Sequence, residues 1–409
     1  MTFIRIEKLF IFFALLSVAL ICGEYAITRP ASNALFLTVF SSKAFPYVWL
    51  ATVPVNLLII YLYNRFLPTI GPLKMLFTFA LLVSGINALT GLFYSKLPEL
   101  IFFQYIWKDV YILLMLKQLW SMIHSTIPFT RAKYLYGCIY GMGTVGAVTG
   151  SLVPSFFASY AGSEQILLLS LPVYLLLMFT YIKAYKRSGI SDSNFEKDLS
   201  EDPRPKEALA LIKRSPVLIA VLLLVIFMQI SVGLIEYRFN VHLELNILDK
   251  DLRTEYWGRI VGIINIFSLA FQFIGAVLVV KTIGLRRSHF LVPTLLCLSV
   301  LSSLVYPAFA MISFSYIFLK AIDFSLFGVI REMLYAPLQL DAKYRAKAII
   351  DVFAYRTSKA VVSVALLMMQ ALAGSYLLEL TEYVSIFVLF AWLTTVVYLF
   401  RRKEVFAEL

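Results

Sequence analysis

The chain has 409 residues, 61% hydrophobic and 15% charged, with mean hydropathy +0.84 and a formal net charge of +12. A soluble domain carries about 25% charged residues, so a water-soluble globular protein is excluded, as is an outer-membrane barrel, whose alternating pattern is absent. Apolar runs of about 18 residues or more recur from end to end. They imply an all-α polytopic membrane protein, since a helix satisfies its own backbone hydrogen bonds in lipid.

Twelve spans are predicted at roughly 9–36, 45–63, 75–94, 101–127, 134–160, 166–184, 216–241, 258–280, 289–309, 313–335, 347–373 and 383–400. The first is too long for a signal peptide, and no small-residue cleavage site follows it. Span one carries Glu24, Tyr25 and Arg29; span four carries Lys108, Asp109 and Lys117. In span five, GMGTVG at 141–146 fits the dinucleotide pattern GxGxxG, yet no strand precedes it. With Gly137 and Gly150 it reads as a helix face stripped for close approach of a neighbour. Residues 185–214 are polar and read as a loop, with 205–215 able to form a short amphipathic helix. Two six-helix halves are therefore expected, 1–184 and 215–409, joined by a central loop at 185–214. In the second half, span seven carries Glu236 and Arg238. Span ten carries Lys320, Asp323, Arg331 and Glu332, and span eleven carries Asp351, Arg356 and Lys359.

Basic residues set the orientation. Counting boundary residues with their loops, 23 Lys and Arg fall on the side of both termini, 5 on the opposite side and 8 within spans. Both termini are expected in the cytoplasm. The positive charge is then a topology signal and implies lipid headgroups, not nucleic acid. Cys22, Cys138 and Cys297 lie in apolar spans without metal-ligand spacing, and His124, His242 and His289 are scattered. No phosphate-binding loop, metalloprotease or nucleophile-elbow motif occurs. No enzyme, cofactor or metal is expected, and the chain is expected to be a monomer.

The halves match one another. Glu24-Tyr25 recurs as Glu236-Tyr237, 212 residues on, and Tyr105 of span four as Tyr316 of span ten, 211 on. Arg-Ala-Lys at 131–133 returns at 345–347, and Lys117-Gln118 falls on Arg331-Glu332, both 214 on. Four ordered matches imply duplication, and an even six spans between equivalents makes the repeats parallel. That is the plan of the major facilitator superfamily, whose halves rock about a midplane site.

Fourteen ionisable residues lie within spans one, four, seven, ten and eleven. Facing lipid, each costs roughly 2.5–3.5 kcal/mol near a helix centre. They must therefore face one another or a wet cavity. Ion pairing that locks the helices together is one reading. Eight basic residues against six acidic leave net positive charge, however, which suits an anionic substrate, and guanidinium forks suit phosphate or carboxylate.

Residues 323–363 resemble the ATP/ADP translocases of plastids and obligate intracellular bacteria. The elements are Phe324-Ser325-Leu326-Phe327, Arg331-Glu332-Met333-Leu334-Tyr335-Ala336-Pro337-Leu338, Arg345-Ala346-Lys347-Ala348-Ile349-Ile350-Asp351 and Arg356-Thr357-Ser358-Lys359. Residues 119–151 and 234–239 are also similar to that family. The chain departs from the pattern at Ser32-Asn33, where the family has Lys-Asp, at Lys108, where it has Glu, and at Gly328, where it has Asp. The resemblance implies a secondary transporter that moves a nucleotide or related phosphorylated anion by alternating access, in the inner membrane of an intracellular bacterium. Arg29, Lys108, Arg238, Lys320, Arg331, Arg356 and Lys359 are the expected substrate cations. Glu24, Glu236, Asp323 and Glu332 are expected to neutralise them when the site is empty. Exchange and proton-coupled import, with Glu24 or Glu236 carrying the proton, both stand as readings of the charges.

Overall fold

The computed structural model describes residues 5–127, 135–189, 210, 212–213, 215–271, 281–335, 350 and 354–401, except the side chains of Arg356 and Ser375. The Arg-Ala-Lys motifs, Asp351 and most of the 185–214 loop lie outside the described residues.

Among the described residues the chain is helical. The first helices are α1 (Arg5–Phe40), α2 (Phe45–Ile70), α3 (Pro72–Phe93), α4 (Glu99–Thr126) and α5 (Tyr136–Ala161), followed by α6 (Ser163–Leu168) and α7 (Ser170–Ser188). Then come α8 (Pro216–Asn246), α9 (Lys250–Ala270), α10 (Leu285–Val305), α11 (Phe309–Ile322), α12 (Gly328–Leu334), α13 (Tyr355–Ala373) and α14 (Leu377–Arg401). Joining α6 to α7, and α11 to α12 through a π-helical turn at Asp323–Phe327, gives twelve rods among the described residues, in the order of the predicted spans. Eight of them are long and apolar enough to cross a membrane among the described residues. In α4 the apolar run is broken by Lys108, Asp109 and Lys117.

Several helices run past the predicted spans, α2 to Ile70 and α8 to Asn246 among them. Helix α9 begins at Lys250, eight residues before the predicted span, because Asp251, Arg253 and Glu255 hide its helical period from hydropathy. Helix α1 extends to Phe40 through Pro30. The π turn takes in extra chain, and it lies where the offset between the halves slips from 211 to 214 residues.

The chain divides into two compact units: Met1–Ser41, Pro54–Asp202 and Ile247–Asn265 form the first, and Ser42–Val53, Pro203–Asn246 and Ile266–Leu409 the second. The first boundary falls inside α2 at Pro54, which has no N–H for the helix ladder. In the first unit α1 is central and packs on α4, α5, α6 and α7, while α3 packs on α4, α6 and α7. In the second, α8 packs on α11, α13 and α14, while α10 packs on α11 and α14. Each pairing recurs six rods later, as expected of a parallel duplication.

The glycine face of α5 meets α1 backbone to backbone. A Cβ on Gly146 would strike the main chain of Ala19, and one on Gly150 that of Gly23. Along its other edge, α5 and the start of α6 present Ser151, Ser155, Ser159 and Ser163, one per turn, to α9. A Cβ on Gly258 would lie 2.7 Å from the Ser155 amide nitrogen, so those helices also touch closely. The Ser163 and Ser159 amides donate to Asp251 (2.7 Å) and Glu255 (3.1 Å), and Lys250 pairs with Glu164 at 2.5 Å. The carboxylates of α9 thus supply acceptors for N–H groups at the α5–α6 break.

Candidate functional site

The first unit holds a string of polar side chains along α1. Glu24 is buried and is bonded by the Tyr111 hydroxyl of α4, while the Thr28 hydroxyl returns to the Glu24 carbonyl at 3.2 Å. Among the described residues Glu24 forms no ion pair, so its proximity in sequence to Arg29 does not become a contact. At the next residue, the Tyr25 hydroxyl donates to Asp109 at 2.9 Å. Lys108 donates to the same Asp109 oxygen at 3.1 Å and stands 3.8 Å from the Tyr105 ring centre. The Arg29 guanidinium lies 5.2 Å from the Trp257 ring centre and 5.7 Å from that of Tyr25, within cation–π range.

Ser32 and Asn33, where the resemblance expects Lys-Asp, are buried. Ser32 donates to Gln104 at 2.6 Å, Gln104 to Asn87 at 3.2 Å, and Asn87 to Ser170 at 3.0 Å. This chain of uncharged bonds ties α1, α4, α3 and α7 together. A lysine at position 32 would have to enter this hydrogen-bond network.

The second unit holds a small cavity of about 50 Å³ that opens to solvent. Helix α8 contributes Gln229, Val232, Gly233 and Glu236, whose spacing of three and four residues places them on one face. Helix α13 contributes Tyr355, Lys359 and Val362; Lys320 comes from α11 and Trp49 from the start of α2. Lys320 pairs with Glu236 at 3.1 Å, and both are largely buried. The Lys359 ammonium lies 5.9 Å from the Trp49 ring centre. The lining therefore carries two cations against one carboxylate. Behind it, the Gln229 amide donates to both oxygens of Asp323, at 3.3 and 3.5 Å.

Of the expected cations, Lys320 and Lys359 meet at this cavity with Glu236. Arg238 does not line it. Its guanidinium is buried against Glu382 of α14 at 2.8 Å, and Ser303 of α10 bonds to both partners, at 3.3 and 3.0 Å. Arg331 lies 3.9 Å from its neighbour Glu332 and 6.0 Å from the Phe327 ring centre, and neither Arg331 nor Glu332 is part of the lining. The side chain of Arg356 is outside the described residues. The sequence reading missed Trp49, Gln229, Tyr355 and Glu382. An amide in the most apolar run of the second half was a signal for Gln229; nothing in the local pattern singled out Trp49.

The sequence profile of the TLC ATP/ADP transporter family matches residues 165–402, more than half of the chain. No curated protein matches it significantly by sequence. Solved structures do match by fold. The nucleoside transporter NupG aligns with TM-score 0.66 at 13% identity, over 96% of this chain and 99% of its own. A bacterial homologue of the iron transporter ferroportin, in its inward-facing state, aligns with TM-score 0.68 at 12% identity, over 97% and 99%. A bacterial homologue of the lysosomal transporter Spinster, inward-facing and unoccupied, aligns with TM-score 0.58 at 12% identity, over 97% and 96%. The architecture is that of a major-facilitator-type secondary transporter in a multi-pass membrane protein.

Proposed function

This chain belongs to the TLC ATP/ADP transporter family, and from that premise we propose that it exchanges adenine nucleotides, or closely related phosphorylated anions, across the membrane by alternating access. The observation that carries the proposal is the cavity of the second unit, where Lys320 and Lys359 face a single carboxylate, Glu236. An empty site of this kind keeps Lys320 neutralised by Glu236. An entering phosphate takes over the lysine, and the carboxylate is released from it. Lys359 adds the second charge a di- or triphosphate needs. Arg29 and Lys108 of the first unit, each set against aromatic rings, are further phosphate contacts in this reading. Arg331, Glu332 and Arg356 join the site at other stages of the cycle. Arg238 serves as a strut to Glu382. The family favours exchange over proton-coupled import.

The basic-residue asymmetry supports cytoplasmic termini, and the resemblance to transporters of intracellular bacteria supports a bacterial inner membrane. The test is uptake of labelled ATP, ADP and other nucleotides into vesicles containing the purified protein, with and without internal nucleotide. Exchange predicts uptake that depends on internal nucleotide. Uptake of none of them would defeat the proposal.

A further inference from the structure

Gln229 lines the cavity and is buried, with 9% of its surface exposed. Its amide nitrogen is engaged by Asp323, which approaches through both carboxylate oxygens. An ionised carboxylate only accepts hydrogen bonds, whereas a primary amide donates from nitrogen and accepts at oxygen. Against an ionised Asp323 the NH2 of the amide therefore faces the carboxylate, and its carbonyl oxygen is the end left for a ligand. Turning the amide over would set its oxygen against the carboxylate. Asp323 is itself held at the head of the π-helical turn, where the following Ser325 hydroxyl bonds back to the Ala321 carbonyl. The rest of the lining divides chemically. Glu236, Lys320 and Lys359 are charged, whereas Val232, Gly233 and Val362 are apolar and, with the half-exposed Tyr355 ring, suit a flat aromatic body. Gln229 sits on the α8 face one turn from Val232 and Gly233 and two turns from Glu236.

We propose that Gln229 reads the exocyclic amino group of the bound purine through its carbonyl oxygen, and that Asp323 is the positioning residue that fixes which way the amide faces. This rests on the cavity being the nucleotide site. A base with a keto oxygen in place of the amino group, as in inosine diphosphate, brings acceptor against acceptor, and the rescuing amide flip is blocked by Asp323. A purine with only hydrogen there loses one bond and meets no repulsion, so it falls between the two.

The experiment is competition against labelled ADP uptake into nucleotide-loaded proteoliposomes, using unlabelled ADP, the 6-unsubstituted purine riboside diphosphate and inosine diphosphate. The wild type should prefer ADP over inosine diphosphate by about tenfold or more, equivalent to 1.4 kcal/mol, with the unsubstituted purine between them. Gln229→Met, which keeps volume and removes the acceptor, should bring the ratio close to one. Asp323→Asn should also lower it, because an asparagine accepts either face of the Gln229 amide; loss of packing alone would weaken both nucleotides equally. Equal competition by all three in the wild type overturns the assignment without either variant, as does an unchanged ratio in both variants. Failure of every nucleotide to compete instead overturns the nucleotide reading and takes this inference with it.

Discussion

Glu236→Gln should weaken the empty protein and strengthen its hold on the substrate. Glu236 and Lys320 are 3.1 Å apart with side chains 14% and 6% exposed, so solvent screening is small. At that distance the Coulomb attraction is about 5 kcal/mol for an effective dielectric of about 20. Removing one partner of such a pair strands the other charge, at a cost of about 3–5 kcal/mol. In the variant Lys320 loses its 3.1 Å partner and keeps only the more distant Asp323 carboxylate until a phosphate supplies a second counter-charge. Thermal unfolding of the purified protein should show the empty variant less stable than wild type, with saturating ADP restoring most of the loss. Calorimetric titration should show ADP binding at least tenfold tighter. Exchange between loaded states should survive, while any uniport that needs the empty carrier to cross should slow. An empty variant as stable as wild type that binds ADP more weakly would refute this account, because Glu236 would then be a direct substrate ligand.

Three further outcomes follow from the packing. Glu382→Gln should cost about 3–5 kcal/mol by leaving Arg238 buried without its partner; thermal unfolding should show the double change Arg238→Met with Glu382→Leu recovering much of that. Gly150→Ala should reduce membrane abundance, since its Cβ meets the Gly23 backbone, whereas Gly85→Ala, with nothing within 4 Å, should be neutral or slightly stabilising by immunoblot and melting temperature. Burial alone would lower the pKa of Lys250, but the Glu164 hydrogen bond and the Asp251 and Glu164 carboxylates outweigh it and hold the ammonium above its usual range. Its contribution is thus present at neutral pH and lost as pH rises through that raised value, above about 10.5. Lys250→Met should abolish this alkaline component of the unfolding profile.

Most of the helical rods were legible because a span must be apolar over the membrane's thickness, whereas charges interrupt α4 and mask the start of α9. The glycine face of α5 was legible because a run of small residues at helical spacing has one physical use in lipid. The duplication was visible in Glu24 and Glu236, yet their surroundings were not. Glu24 is met by the Tyr111 hydroxyl and Glu236 by an ammonium, because the partners come from α4 and α11 and not from the nearest charge in sequence. Arg238 shows the same limit: two residues from Glu236, it turns away to Glu382 on α14, 144 residues distant. Period explains this, since neighbours two apart in a helix point to different faces. Trp49 and the serines opposite α9 carry no charge, so counting ionisable residues passed over them.

The claim that the cavity of the second unit serves nucleotide exchange is tested most directly by trans-stimulation. Vesicles holding the purified protein are loaded with labelled ADP, and efflux is followed after external ATP is added. The account predicts slow efflux into plain buffer, a marked acceleration by external ATP, and loss of that acceleration in Lys320→Gln and Lys359→Gln proteins that remain abundant and folded. Efflux indifferent to external nucleotide, or acceleration that persists undiminished in both variants, would contradict it.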